Sequence, residues 1–280
     1  MISFVGKTAL VTGASAGIGR EIARILAREV GTLVLVARRR ERLDELGTDL
    51  LVARPGLRVL VRPCDLGSRE ETDALLASLE AEGVCVDVFV NNAGFGDYGL
   101  FDTRPWDKLE RMLALNVVAA TYLLHRLLPG MISRGFGAVM NVGSSAGMMP
   151  SPGGATYAAT KAYLNHLSEA LRGELEGTGV TLTVVCPGPV PTEFQAVAET
   201  HRRKPLPEVL RIDAVQCAEE AVLALKRGRT AATPSPARRC TPSAASAASW
   251  SPTPRCARSW SRARATRPSA RAPISRSARA

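Results

Sequence analysis

Short apolar runs alternate with segments of helical period along most of the chain. Strand-like runs cover Thr8–Thr12, Thr32–Ala37, Arg58–Arg62, Val86–Asn91, Ala138–Val142 and Thr181–Cys186. Helical periodicity appears near 18–29, 41–53, 69–82, 106–128, 155–175 and about 214–227. The strands are rich in Val and Leu without clean alternation, which fits burial on both faces and hence a parallel sheet. Strands alternating with helices through short links predict an α/β fold, a three-layer, doubly wound parallel sheet. Right-handed crossovers leave few topologies for it.

The pattern stops after Arg229. Residues 230–280 are almost entirely Ala, Arg, Ser, Pro and Thr, and Ile274 is their single aliphatic side chain larger than alanine. Such a composition buries too little apolar surface to offset chain entropy, so a disordered tail is expected after one domain at 1–229. A sharper reading is a shifted reading frame, because these residues are encoded largely by GC-rich codons. A seventh strand after the last helix is then expected to be missing or disrupted.

The tail also explains the charge. The formal +10 invites a nucleic-acid or membrane partner. Yet residues 1–229 carry 26 of the 36 basic residues and all 26 acidic ones, so the body is neutral. The basicity belongs to ten tail arginines without aromatic interleaving, which makes a nucleic-acid tether the weaker expectation. No run reaches the roughly 18 apolar residues of a membrane span. The six cysteines lack zinc-site spacing, no metal is expected, and the amino terminus has no leader pattern. A cytoplasmic protein with reduced thiols is expected.

Thr12-Gly13-Ala14-Ser15-Ala16-Gly17-Ile18-Gly19 directly follows a strand and opens a helix. Glycines allow a tight turn and close backbone approach, and the helix start offers free N–H groups to a phosphate. In this position dinucleotide binding is a better reading than a bare strand–helix corner. The second strand ends Ala37-Arg38-Arg39, with no carboxylate for the ribose hydroxyls of NAD. Arginine can pair with a 2′-phosphate, so NADP(H) is favoured, Arg38 ahead of Arg39, with NAD(H) left open. That these arginines simply begin a solvated helix is the weaker reading. Asp65, beside Leu66 after the third strand, could accept from an adenine amino group or simply cap a loop. Asn92, Ala93 and Gly94 end the fourth strand, where small residues admit a cofactor and amides can tie strands together.

Tyr157 and Lys161 lie four apart, hence on one helical face. Alone, the pair is a common coincidence. With Thr12-Gly13-x-x-x-Gly17-x-Gly19, Asn91-Asn92-Ala93-Gly94 and Pro187-Gly188 in the same order, the chain resembles the short-chain dehydrogenase/reductase family over about residues 5–229. The resemblance implies a Rossmann-type domain and NAD(P)-dependent alcohol/carbonyl redox chemistry. It implies Ser144, 13 residues before Tyr157, as the catalytic serine, and Asn116 as the catalytic asparagine. Tyr157 would transfer the proton, Lys161 would favour its phenolate, Ser144 would orient the substrate oxygen, and Asn116 would hold a water toward Lys161. Pro187, Gly188, Val190 and Thr192 would grip the nicotinamide end, with Tyr157 and Lys161 also touching the cofactor.

Residues 92–101 and 193–212 are expected to frame the pocket mouth. His201-Arg202-Arg203-Lys204 could attract an anionic substrate, although a solvated basic loop is the plainer reading. The expected partner is a small carbonyl or alcohol, lipophilic or acyl-type, taken by a homodimer or homotetramer. A non-catalytic dinucleotide sensor is the rival reading, and it has no use for the four proton-handling residues.

Overall fold

The computed structural model describes residues 1–198 and 212–228. Six parallel strands form the sheet: β1 (Thr8–Thr12), β2 (Thr32–Ala37), β3 (Arg58–Pro63), β4 (Val88–Asn91), β5 (Gly137–Val142) and β6 (Val180–Val185). Their order is β3-β2-β1-β4-β5-β6, so the winding reverses between β1 and β4. A crevice opens beyond the carboxyl ends of the strands at such a reversal. The expected seventh strand and the tail lie outside the described residues.

Side chains of successive strand residues go to opposite cores, which is why the strands read as continuous apolar runs. Ala9 and Val11, Leu33 and Leu35, and Val88 and Val90 face one core, where helices α1 (Gly17–Leu26), α2 (Arg40–Ala53) and α8 (Ala214–Lys226) cover them. Leu10, Val34 and Phe89 face the other, beneath α3 (Arg69–Ala81), α5 (Ala120–Ser133) and α6 (Ala155–Glu174). Edge strand β3 is only half-buried, and its Arg62 pairs with Glu82 instead of entering a core.

The stretch expected as one helix over 106–128 is interrupted. It runs as α4 (Trp106–Leu113), a π-helical segment (Ala114–Ala119), and α5, which continues past Pro129. Leu128 and Met131 are buried against the sheet. That packing outweighs the cost of a helical proline. The run Trp106–Ser133 is long enough to cross a membrane, and an 18-residue window within it reaches a mean hydropathy of 1.3. In this fold its inward face instead carries buried Asn116, Leu123 and Leu124. A short helix, α7 (Glu193–Val197), follows β6 and was not anticipated.

Candidate active site

A cleft of about 980 Å³ lies at the carboxyl ends of the strands. Every residue proposed above for a site lines it except Gly19 and Asn116, which stand directly behind the lining. The basic stretch 201–204 falls outside the described residues.

The glycine turn is shaped by Asn92. Its Nδ2 donates to Thr12 O at 2.8 Å and Gly13 O at 3.4 Å, while Thr12 Oγ1 accepts from the Asn92 and Ala93 amides. A Cβ on Gly19 would stand 2.3 Å from that Nδ2 and 2.6 Å from Gly13 O. The third glycine is thus needed for close packing beneath the turn. Gly13 and Gly17 adopt φ of 67° and 57°, a region that other residues enter at a cost. Helix α1 has no side chain capping its amino terminus, so its first N–H groups stay open toward the cleft. An uncapped helix start and a turn kept clear of Cβ atoms, both lining the cleft, fit a pyrophosphate.

At the neighbouring wall, Arg39 Nη2 donates to Ser15 Oγ at 3.1 Å, whereas Arg38 is exposed and makes no hydrogen bond or ion pair among the described residues. Asp65 Oδ1 accepts from Gly67 N at 3.0 Å, so the carboxylate caps its own turn while lining the cleft. Asn91 Nδ2 donates to Asn141 Oδ1 at 3.0 Å, so the two amides tie the end of β4 to both neighbours, Asn91 to β5 and Asn92 to β1.

The proton-handling residues converge from three elements. Ser144 follows β5 and starts a 3-10 turn (Ser145–Met148), its Oγ accepting from Ala146 N. Tyr157 and Lys161 come from α6, both nearly buried at 6% and 5% exposure. Lys161 Nζ donates to Val142 O at 2.8 Å. Asn116, in the π-helical segment, accepts from Phe95 N at 3.1 Å and donates to Phe95 O and to Thr160 Oγ1. Its amide is therefore occupied in fixing the Gly94–Phe95 backbone beside Lys161. π-helical turns of this kind are frequent at functional sites.

Burial sets the electrostatics. Desolvation pushes the Tyr157 phenol well above its ordinary value, while a hydrogen bond with Ser144 pulls it down and the neighbouring Tyr98 adds to the rise. Desolvation lowers Lys161 to about 8, against a small opposing pull from Cys186. The ammonium therefore titrates near the pH at which a phenol must exchange protons.

Three features escaped the sequence. Phe194 on α7 packs on the Tyr157 ring with centroids 5.5 Å apart, and Tyr98 packs on it at 5.8 Å. Asp97, 4% exposed, takes hydrogen bonds from Arg104 and an ion pair from Lys108 at 2.8 Å, anchoring the loop that carries Tyr98. Glu193 accepts from Arg39 and Arg42. Among the described residues no group of three or more His, Cys, Asp or Glu could hold a metal ion.

A family model described as short chain dehydrogenase matches residues 7–203. Ketoacyl reductase HetN of Nostoc sp. is 37% identical over 188 residues, covering 67% of this chain and 65% of that protein. The chain thus spans just under two thirds of that relative's length. NADP-dependent 3-hydroxy acid dehydrogenase YdfG of Escherichia coli is 38% identical over 194 residues, covering 67% of this chain and 75% of that protein. A solved short-chain dehydrogenase from Sphingobium yanoikuyae in complex with NADPH is 29% identical, with a TM-score of 0.76, covering 96% of this chain and 99% of that chain.

Proposed function

Since the chain belongs to the short-chain dehydrogenase family, we propose that it interconverts a secondary alcohol and a carbonyl with NADP(H) in preference to NAD(H). The observation that carries this reading is the meeting of Tyr157, Lys161 and Ser144 in the wall of one cleft. A nicotinamide cofactor supplies the hydride when bound. The glycine turn and the start of α1 hold its pyrophosphate, while Thr192, set against Gly17, and Val190, packed with Ile18, border the cofactor from the loop after β6. Arg38 and Arg39, standing where β2 ends without a carboxylate of its own, support the preference for a 2′-phosphate.

In reduction, Tyr157 gives its proton to the carbonyl oxygen; in oxidation it removes one from the alcohol. Ser144 hydrogen-bonds that same oxygen and holds it toward the phenol. A protonated Lys161 favours the phenolate that forms. Asn116 acts through Phe95 and Thr160, keeping the loop beside Lys161 in place. Tyr98, Phe194 and Met149 give the substrate end an aromatic and apolar wall, which suits a lipophilic or acyl-type carbonyl. A sensor would have no use for this buried phenol–ammonium pair. Exposed Leu113, Val118 and Tyr163 on the α4–α6 side support a homo-oligomer.

The test is a carbonyl panel with NADPH and NADH, comparing the native chain with Tyr157→Phe. The substitution removes one hydroxyl and is expected to lower turnover by roughly 10²–10⁴-fold without loss of cofactor binding. Turnover that survives it unchanged would rule out the mechanism.

A further inference from the structure

The carboxylate of Glu193, the first residue of α7, faces two guanidinium groups across the cleft mouth. Arg39 Nη1 donates to Oε2 at 2.8 Å, and Arg42 Nη1 donates to Oε1. The other arm of Arg39 reaches Ser15 in the glycine turn at 3.1 Å. Arg39 thus joins three walls: the end of β2, the turn after β1 and the loop after β6. Side-chain exposures of 44% for Arg39, 42% for Arg42 and 47% for Glu193 leave these pairs open to exchange with other ions.

We propose that Glu193 is a specificity-determining residue whose carboxylate competes with the 2′-phosphate of NADP(H) for Arg39 and so limits the preference for that cofactor. The inference rests on the oxidoreductase reading above. A 2′-phosphate carries more charge than one carboxylate and is a good bidentate partner for guanidinium. To engage it, Arg39 must release Glu193 or share itself between two anions that repel one another. Either way the cost falls on the phosphorylated cofactor alone, because NAD(H) brings no anion to this corner. Protonation does not relieve the competition. Hydrogen bonds from Arg42 and then Arg39 hold the Glu193 carboxyl down at about 2.

Arg42 has a distinct part. It keeps Glu193 attached to α2 when Arg39 turns to a phosphate, so α7 stays over the cleft. That matters for the reaction centre, because α7 also brings Phe194 onto Tyr157, and Ala198 O accepts from Tyr98 N at 3.1 Å.

Calorimetric titration of NADPH and NADH into the native chain and Glu193→Gln measures this directly and needs no turnover. The variant is expected to bind NADPH roughly two- to fivefold more tightly at low salt, the range open to exposed ion pairs. NADH affinity should stay the same, and the NADPH gain should shrink at about 0.5 M salt. In an Arg39→Gln background, Glu193→Gln should give a clearly smaller gain, because the contested group is gone and only direct repulsion between the anions is relieved. Thermal melting confirms that each variant is folded, and Glu193→Ala carries the same expectation. An unchanged or weaker affinity for NADPH, or an equal gain for both cofactors, overturns the inference and leaves the oxidoreductase reading standing. A native chain that binds neither cofactor overturns both.

Discussion

Lys161 donates from Nζ to the main-chain carbonyl of Val142, 2.8 Å away at the last residue of β5. The contact ties the α6 lysine to the strand that also presents Ser144. It leaves a buried ammonium whose proton is lost near pH 8 rather than near its ordinary 10.5, because desolvation disfavours the charge. For carbonyl reduction, kcat/KM is expected to fall as pH rises through about 8, where the free protein loses the ammonium that favours phenolate. Lys161→Met should remove that inflection and lower turnover on the order of 10²-fold.

The same group affects stability, with the sign fixed by its lowered value. Below pH 8 both folded and unfolded chains hold the proton, and the folded chain bears the full cost of a buried charge. Between about 8 and 10.5 the unfolded chain binds more protons, so this residue's contribution becomes more favourable as pH rises. The melting temperature of Lys161→Met relative to the native chain is therefore expected to be higher at pH 7 than at pH 10. A difference that grows with pH would contradict the burial account.

Gly19→Ala tests the packing beneath the turn. The new Cβ would meet Asn92 Nδ2 and the backbone oxygen of Gly13 at distances no real contact tolerates. A loss of roughly 1–3 kcal/mol in denaturant unfolding is expected, together with weaker cofactor binding. Gly56→Ala, with open space around it, serves as the control.

Phe194→Ala removes one wall of the Tyr157 pocket and leaves the proton-handling residues in place. Steady-state kinetics should show KM rising for bulky apolar carbonyls, with kcat changed far less, the signature of lost uniform binding. A fall in kcat alone would place Phe194 in the chemistry instead.

Asp97→Ala leaves Arg104 and Lys108 without their shared, nearly buried carboxylate. Removing one member of such a cluster costs about 3 kcal/mol, readable as a lower denaturant midpoint. Burial by itself would raise the Asp97 carboxyl, but hydrogen bonds from Arg104 and Lys108 outweigh it and leave it lowered. Its stabilisation is thus present above the ordinary carboxylate pKa and lost as pH falls through the lowered folded value. Native and variant chains should converge in stability under acid.

The sequence by itself determined the strands, the phosphate turn and the Tyr157/Lys161 face, because each depends on neighbours within a turn or two. Val-rich runs specify strands buried on both sides, glycine is required where φ is positive, and residues four apart on a helix share a face. The choice of Ser144 came from the resemblance to the family, whose serine stands 13 residues before its tyrosine. Boundaries were less exact: α5 passes through Pro129 because burial of Leu128 and Met131 outweighs a local rule.

Tertiary structure decided everything that depends on distant partners. Arg39 and Glu193 are 154 residues apart in the chain, and nothing local to either announces their ion pair. Asp97 and Arg104 are only seven apart, yet the sequence gives no sign that their pair is buried. Asn116 is held inward by Phe95 and Thr160, 21 and 44 residues away, and Phe194 reaches Tyr157 because α7 folds back over the cleft. Local periodicity sets which way a side chain leaves its own element; only the packing of elements fixes what it meets.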